Sequence, residues 1–400
     1  MSGHTPRVGS TRLVVLALSL VATLAACSGG AGTQGALPST VSVQSSTQLQ
    51  PMSAASVASE SAKDQAFEET TTPRVPAEGM YNSCEIDTAL TTMCEQEDAA
   101  MASDGFKWEI NYIGLNAFKT GPESLQAWFT YDASIGLGQI ISLKAAINDP
   151  VNVLTGTSLL RNYTSSLATS CGATNNEQII ACIVSVAKSV PGFHWKWYVY
   201  DEPGCPNQQI GYCQGTLAGG NYSNVQTIGN YIHSIDPMHR VLGTQVGDSG
   251  GQSVTNNLYS WITNTSTPTT GFDHYPVPSG GNFGSISDIG AIATQVANTI
   301  TTTNPNEHAY FVGQAFSWYQ EWGKGCTSIT VCPYPTTAQM QQMRDQALYY
   351  SAQAGHPLSM VIWYYWPDVT CLTPYPGCNA AANRASLKAA AFAPFPTVAP

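Results

Sequence analysis

Positive charge is scarce in this chain of 400 residues, which has 15 Lys and Arg against 26 Asp and Glu and a formal net charge of −11. Binding to nucleic acid requires Lys and Arg to neutralise phosphates. We therefore expect no nucleic-acid partner. Only 10% of the residues are charged, whereas Tyr (19) and Trp (9) are abundant. This composition predicts a surface of uncharged polar and tyrosine side chains, which is typical of an extracellular protein.

Long apolar runs are also lacking, and the one near the N-terminus, Leu13 to Leu24, is too short to span a bilayer comfortably. Arg7 and Arg12 precede it, as in a signal peptide. It ends at Leu24-Ala25-Ala26-Cys27, which is similar to the bacterial lipobox. We expect residues 1–26 to be a lipoprotein signal peptide and Cys27 to carry a lipid that anchors the chain to a membrane. The alternative is an ordinary secretory signal.

Residues 27–75 have almost no aromatic side chains and consist mainly of Ser, Thr, Ala, Gly and Gln. Such a segment buries too little apolar surface to fold, so it predicts a disordered tether. Residues 76–400 are then expected to form a single folded domain. The prediction is an exported, monomeric lipoprotein at the cell surface.

No Cys-x-x-Cys pair occurs, and no His lies at ligand spacing beside a cysteine. We therefore predict no metal and no cofactor. An even number of cysteines follows Cys27, which in an exported chain indicates disulfides. The sequence does not prove their connectivity. Pairing of neighbours is the simplest proposal, which joins Cys84 with Cys94, Cys171 with Cys182, Cys205 with Cys213, Cys326 with Cys332, and Cys371 with Cys378.

Eight apolar or aromatic runs alternate with stretches of helical periodicity in residues 76–400. This alternation predicts parallel strands, and eight units predict an α/β fold of the (β/α)8 TIM-barrel type. An open doubly wound sheet would normally have a glycine-rich phosphate loop after its first strand, which is lacking here. Four cysteine pairs follow predicted strands, so we expect disulfide-stapled βα loops. The runs are 79–82, 106–112, 138–143, 195–200, 240–246, 271–276, 308–316 and 358–366.

The fourth run continues into Asp201, Glu202 and Pro203. Proline lacks an N–H and ends the strand, so the two acids are expected at the carboxyl rim of the barrel, where active sites of this fold lie. Nearby aromatic side chains would raise the pKa of Glu202 and suit a sugar ring. Glu202 is the predicted general acid, although both acids could instead cap a helix or turn. Because neighbouring strand residues face opposite sides, Asp201 is expected to support it.

The segment Tyr200-Asp201-Glu202-Pro203 is similar to the Asn-Glu-Pro ending of the fourth strand in the clan of retaining barrel glycosidases. Segments 236–241, 272–276, 314–318 and 362–366 also resemble bacterial glycoside-hydrolase-like barrels. The resemblance implies hydrolysis of an extracellular polysaccharide or oligosaccharide, with Glu202 as acid/base. It also places a nucleophilic glutamate at the end of the seventh strand, where this chain has Gln314.

A second carboxylate is needed to complete glycoside hydrolysis. Asp273 at the sixth strand is the predicted nucleophile or base, with orientation of a substrate hydroxyl as its alternative role. Glu321, in the loop after the seventh strand, is held in reserve. We also predict a set of residues that bind the carbohydrate substrate at the rim. These are Glu85, Asn111, Tyr112, Asp201, Tyr275, Gln314, Trp318, Trp363, Trp366 and Asp368.

Two other classes of function remain open. Gly247-Asp248-Ser249-Gly250-Gly251 matches the Gly-x-Ser-x-Gly elbow of serine esterases, with Ser249 as nucleophile and His308 or His356 as base. A flexible glycine-rich loop is the simpler interpretation of that match. The third class is a non-catalytic barrel that binds glycans, which the missing glutamate at Gln314 would explain.

Overall fold

Eight parallel strands close into a barrel in sequence order, from β1 to β8. The computed structural model describes residues 76–82, 91–111, 122–143, 154–155, 171–201, 220–246, 268–278, 284–319, 326, 328–372 and 376–400. The predicted signal peptide and tether, residues 1–75, lie outside these ranges. The strands are β1 Ala77–Asn82, β2 Trp108–Asn111, β3 Gly138–Ser142, β4 Trp195–Asp201, β5 Val241–Val246, β6 Pro268–Asp273, β7 His308–Gln314 and β8 Met360–Tyr364. The predicted TIM barrel is confirmed.

Helices alternate with the strands, as the sequence periodicity predicts. Within the described ranges they are α1 Thr91–Asp104, α2 Pro122–Ile135, α3 Asn176–Ser189, α4 Gly220–Ile235, α5 Asp288–Thr303, α6 Thr337–Gln353, α7 Trp366–Val369 and α8 Ala380–Ala391. In this described part of the chain, each helix is too short or too polar to cross a membrane.

The strands bury both faces, as is typical of a parallel barrel, and most of the buried side chains are apolar. Strand β8 shows the division most clearly. Met360 and Ile362 pack in the barrel interior, whereas Val361 and Trp363 pack in the layer between the barrel and the helices. Strand periodicity therefore sends alternate side chains of one apolar run into two separate cores.

A group of buried hydroxyls crosses the barrel interior. Tyr198 donates to Thr244 Oγ1 at 3.0 Å, and the hydroxyls of Thr244 and Tyr310 lie 2.8 Å apart. Tyr81 joins this group by donating to the Tyr198 hydroxyl at 2.9 Å. Gly271 on β6 makes room for Tyr310, since a Cβ atom at Gly271 would lie 2.1 Å from the Tyr310 ring.

A buried ion pair fastens the outside of β1 to α6. Glu78 Oε1 accepts from Arg344 Nε at 3.0 Å, and Glu78 Oε2 accepts from Trp363 Nε1 at 2.9 Å. Burial raises the pKa of Glu78 to about 7, although Arg344 and the Trp363 hydrogen bond act to lower it. These contacts join the outer faces of β1 and β8 to α6.

Three of the predicted disulfides are present, namely Cys171–Cys182, Cys326–Cys332 and Cys371–Cys378. The last two lie in the loops that follow β7 and β8, as predicted for βα loops at the carboxyl face. Cys94 is also disulfide-bonded.

The remaining cysteines fall on parts of the chain that the structure does not describe. Cys84, the predicted partner of Cys94, lies outside the described residues. Cys205 lies outside them as well, and so does Cys213. The predicted disulfide between Cys205 and Cys213 therefore stays a prediction.

Candidate functional site

The carboxyl end of β6 brings an acidic side chain to the rim of the barrel. Asp273 is the last residue of β6 and is 3% exposed. It pairs in register with Val312 of β7, whose side chain belongs to the core inside the barrel. Because paired residues of neighbouring strands share a face, Asp273 lies on the interior side at the level where the barrel opens. This is the position at which a barrel enzyme acts on its substrate.

Five aromatic side chains lie at or just beyond the carboxyl ends of β6, β7 and β8, and we call them the aromatic rim: Tyr275, Phe316, Trp318, Tyr364 and Tyr365. The ring centroids of Tyr275 and Phe316 are 5.2 Å apart, and those of Phe316 and Trp318 are 4.9 Å apart. Tyr364 and Tyr365 stack at 4.8 Å with an interplanar angle of 21°. Phe316 is buried, whereas the other four rings are half-buried. The rim therefore combines rigid packing with flat aromatic surface that solvent can reach.

Gln314, which was predicted to bind substrate, is fully buried, and its amide forms hydrogen bonds with backbone groups. Its Oε1 accepts from Val277 N at 2.9 Å, and its Nε2 donates to Val277 O at 2.8 Å and to Phe316 O at 3.1 Å. These bonds use both amide donors. The side chain thus ties the loop after β6 to the start of the loop after β7, and we do not retain it among residues that contact a substrate.

The end of β4 has a register shift that bears on the predicted acids. Tyr198 pairs with Leu242 and Tyr200 with Gly243, so that Asp201 pairs with Thr244. The prediction assigned Asp201 a supporting role from simple alternation, and the shift interrupts that alternation between Tyr198 and Tyr200. Both acids of this segment therefore have to be tested. Glu202 lies outside the described residues, as do Glu85, Tyr112, Ser249 and Glu321.

Two tryptophans predicted to bind substrate lie away from the carboxyl rim of the barrel. Trp363 is fully buried on the outer side of β8, where it donates to Glu78. Trp366 is fully buried in α7, with its ring 6.3 Å from that of Phe106 and 5.6 Å from Arg384 Cζ. Neither ring offers a free face, so we do not retain them in the substrate site.

Two polar residues that were predicted to bind substrate are also buried, and neither is placed to contact a substrate. Asp368 is 1% exposed, and its Oδ2 accepts from Ser317 N at 3.1 Å, which joins the loop after β7 to α7. Asn111 is 3% exposed and follows Ile110, whose side chain lies inside the barrel. Asn111 therefore belongs to the outer face of β2. Tyr275 and Trp318 are the members of the set that the structure brings together, through a 3.2 Å bond from Trp318 Nε1 to Tyr275 O.

The histidines suggested as bases for an esterase lie at the amino ends of their strands. His308 is the first residue of β7, and His356 precedes β8. Ser249 lies outside the described residues, so the esterase pairing stays a prediction. His274 does lie at the carboxyl face, with Nε2 3.8 Å from Asp288 Oδ2 of α5.

One group of side chains among the described residues has the spacing of metal ligands, although the sequence indicated no metal. It consists of Asp98, Glu109 and Asp132, whose ligand oxygens lie within 4.8 Å of one another. The group is on the outer side of β2 and is separate from Asp273 and the aromatic rim. The three residues come from separate elements, so no spacing rule applied to the sequence would find them.

Sequence reasoning also missed Phe316 and Tyr364 of the aromatic rim. Tyr364 packs against the core inside the barrel, and its centroid is 5.3 Å from that of Phe316. The available signal was strand alternation along β8, which groups Tyr364 with Ile362 and separates it from Trp363. Using that signal requires one residue of known orientation, which the sequence alone does not supply.

No family model matches the chain, and a search of curated proteins also finds no match. Solved structures do match. One is a thermostable mutant of a xylanase, Xyn10A, from Cellvibrio japonicus, with 10% identity, a TM-score of 0.49, and coverage of 78% of this chain and 97% of that one. A second is the GH53 catalytic domain of Ignisphaera aggregans, with 10% identity, a TM-score of 0.44, and coverage of 76% and 87%.

A third similar structure is the GH10 xylanase of Thermobacillus composti, with 12% identity, a TM-score of 0.44, and coverage of 82% of this chain and 98% of that one. At such identities and TM-scores, the assignment of fold rests on the closed barrel itself. The case for a function has to come from the side chains at the rim.

Proposed function

We propose that this protein is an exported glycoside hydrolase that acts on an extracellular polysaccharide or oligosaccharide. One observation carries the proposal. Asp273 lies on the interior side of β6 where the barrel opens, and four half-buried rings of the aromatic rim lie at or just beyond the carboxyl ends of β6, β7 and β8. A carboxylate beside flat aromatic surface suits a sugar, because the C–H faces of the ring stack on aromatics while the glycosidic oxygen exchanges a proton.

The proposed chemistry divides the work between β4 and β6. Glu202 donates a proton to the departing sugar oxygen. Asp273 acts on the opposite side of the scissile bond, either by attacking the anomeric carbon or by activating water. Glu321 stays in reserve for this second role. No cofactor or metal takes part in the proposed reaction.

The surroundings of Asp273 support a water-poor site. Asp273 itself is 3% exposed, and the hydrogen-bonded hydroxyls of Tyr81, Tyr198, Thr244 and Tyr310 lie inside the barrel. The carboxyl rim is the face at which barrels of this fold receive a substrate. In such a buried environment, polar groups also interact more strongly with a proton in transfer than they would in water.

Export and anchoring at Cys27 belong to the same proposal. Three intact disulfides are typical of proteins that leave the reducing cytoplasm. A polymer too large to enter a cell would be reached by a monomeric barrel held at the surface by a lipid and a tether.

A glycan-binding barrel without catalysis is the second candidate, and Gln314 favours it. At the strand where the resembled clan has a nucleophilic glutamate, this chain has an amide whose donors are bound to Val277 O and Phe316 O. Such a protein would keep the aromatic rim and would not need Asp273 or Glu202.

A substrate panel tests the proposal and separates these candidates. The purified full chain is incubated with xylans, glucans, galactans and mannans, and new reducing ends are measured. We expect hydrolysis of at least one polymer. Replacing Glu202 with Gln, or Asp273 with Asn, should each lower kcat at least about 1000-fold while circular dichroism and the thermal midpoint stay unchanged.

Matched variants make the result specific. Asp201→Asn tests the neighbouring acid of β4, and a larger loss there than at Glu202 would transfer the proton-donor role. Ser249→Ala should retain full activity, whereas an inactive variant would favour the esterase. Binding of a polymer with no release of reducing ends, and equal binding by Asp273→Asn, would favour the non-catalytic barrel.

A further inference from the structure

Three carboxyl groups meet in the layer between the barrel and the helices, at a place the proposed reaction does not use. Asp98 comes from α1, Glu109 from β2 and Asp132 from α2. All three side chains are 0% exposed. One oxygen from each lies within 4.8 Å of the others. The convergence of three acids from three elements at a fully buried point requires a physical explanation.

Neutral donors orient these carboxylates by holding one oxygen of each. Trp128 Nε1 donates to Asp98 Oδ2 at 2.8 Å. The Gln139 amide donates to Glu109 Oε2 at 2.6 Å and to Asp132 Oδ2 at 2.8 Å. The second oxygens, Oδ1 of Asp98, Oε1 of Glu109 and Oδ1 of Asp132, are buried and have no hydrogen bond of good geometry. The Asn82 amide is near enough to Glu109 to lower its pKa, and Asp98 is near enough to the other two carboxyl groups to share a proton with them. Donors behind a set of ligands are the usual way in which a protein orients carboxylates toward a metal.

Positive charge is missing around this group among the described residues. Burial raises the pKa of all three carboxyl groups, with the charge of Asp132 acting on Asp98, that of Asp98 on Glu109, and that of Glu109 on Asp132. No Lys, Arg or His contributes to these shifts. Buried like charges without a partner are strongly unfavourable. Either a bound cation or retained protons must compensate them.

We propose that Asp98, Glu109 and Asp132 bind one hard divalent cation of the Ca²⁺ type. A ligand set made only of carboxylate oxygens suits Ca²⁺, Mg²⁺ or Mn²⁺, whereas Zn²⁺ usually takes nitrogen or sulfur ligands as well. Two oxygens bound to a single Ca²⁺ at its usual distance lie up to about 5 Å apart. The spacing of the three oxygens therefore allows one ion to reach all of them.

The position of the cation defines its role. It would connect α1 and α2 to β2, and so fix the two helices that flank the β1–β2–β3 part of the barrel. Glu109 lies on the outer face of β2, since its neighbours Trp108 and Ile110 pack inside. The ion would therefore stabilise the fold, on the side of the barrel wall away from Asp273.

Unfolding and lanthanide luminescence test this inference. Full chain stripped with EDTA is melted at about pH 7.5 with and without Ca²⁺, Mg²⁺ or Mn²⁺. A Ca²⁺ concentration about 100 times its Kd should raise the folding equilibrium constant about 100-fold, which appears as a rise of several degrees in Tm. Tb³⁺ replaces Ca²⁺ as the optical probe. Trp128 is hydrogen-bonded to Asp98, so its excitation should sensitise Tb³⁺ emission. Added Ca²⁺ should displace the Tb³⁺ and remove that emission.

A variant and a matched control locate the ion. Asp132→Asn should abolish the Tb³⁺ signal and the Ca²⁺ effect on Tm, yet in EDTA it should be at least as stable as the parent because one like charge is gone. Glu307→Gln changes another buried carboxyl with a raised pKa, on a different part of the barrel, and should keep the full Ca²⁺ response. Should Asp132→Asn fail to fold, the Tb³⁺ and Ca²⁺ measurements on the parent decide the matter.

Retained protons would give the opposite pH dependence. With no ion, a raised pKa means that these acids stabilise the fold at low pH and that this contribution is lost as pH rises through the folded-state pKa. With Ca²⁺, stability should increase over the same interval, because the ion binds the deprotonated form. Stability that falls with pH regardless of EDTA or Ca²⁺ overturns the proposal, as does a Ca²⁺ effect that persists in Asp132→Asn.

Discussion

Exchanging Gln314 for Glu is an informative change in this chain, because it introduces the residue type that the resemblance to retaining barrel glycosidases predicts at the end of the seventh strand. The amide of Gln314 donates to Val277 O and Phe316 O and accepts from Val277 N. A carboxylate can keep only the accepted bond, and it brings negative charge toward two carbonyl oxygens. We therefore expect Gln314→Glu to weaken the fold and to add no catalytic power.

The size of the effect follows from the proton that the new carboxyl group must hold. A protonated carboxyl can donate to one of the two carbonyls, so one hydrogen bond is lost, at about 1 kcal/mol. Burial raises the pKa of the introduced group above the usual Glu value of about 4.3. Keeping the proton costs about 1.4 kcal/mol per pH unit above that value. The total is then about 2 kcal/mol at about pH 5 and as much as about 6 kcal/mol at about pH 8.

Urea unfolding at about pH 5 and about pH 8 measures this difference. The sign is that of any acid with a raised folded-state pKa, so the destabilisation should grow as pH rises. Gln339→Glu is the matched control, since Gln339 accepts hydrogen bonds in the capping box of α6 and Glu is equally suited to that position. The control should stay within about 0.5 kcal/mol of the parent. If Gln314→Glu unfolds at the same urea concentration as the parent at both pH values, the hydrogen bonds of Gln314 to Val277 and Phe316 do not stabilise the fold.

Two further changes test the packing that positions the site. Arg344→Met leaves Glu78 buried without its cation and should cost about 3 kcal/mol or more in urea unfolding at about pH 8, with a smaller cost at about pH 5, where Glu78, whose pKa is raised to about 7, already holds its proton. Parent and variant of equal stability at the higher pH would contradict that ion pair. Gly271→Ala places a Cβ atom 2.1 Å from the Tyr310 ring and should cost about 1–3 kcal/mol by displacing Tyr310 from Thr244. An unchanged thermal midpoint in this variant would mean that the interior adapts without strain.

The barrel could be predicted because its signal is repeated eight times along the chain. Apolar runs marked every strand, and alternation with helical periodicity indicated parallel pairing. The residues at which strands begin and end were harder to predict from the sequence. Strand β6 begins at Pro268, three residues before the predicted run, because Thr269 and Thr270 are buried there although they are not apolar.

Side-chain direction was the main obstacle to predicting the site. In β8, residues Met360 to Tyr364 are all apolar or aromatic, so no polar residue marks a solvent face. Trp363 faces outward, and its partner there is Glu78, 285 residues away in the sequence. The same limitation hides the carboxylate group, because Asp98, Glu109 and Asp132 meet only after α1, β2 and α2 have packed together.

Gln314 occupies the position where a catalytic glutamate was expected, and it holds the loops that carry the aromatic rim, which both candidate functions need. Its bonds to Val277 fix the loop that carries Tyr275, and Tyr275 O in turn accepts from Trp318 Nε1 at 3.2 Å. The loops after β6 and β7 are thus joined at two points. An amide at this position gives up a possible nucleophile and holds the aromatic surface in place. Because an amide can act neither as a nucleophile nor as a base, the proposed second carboxylate must be Asp273, with Glu321 in reserve.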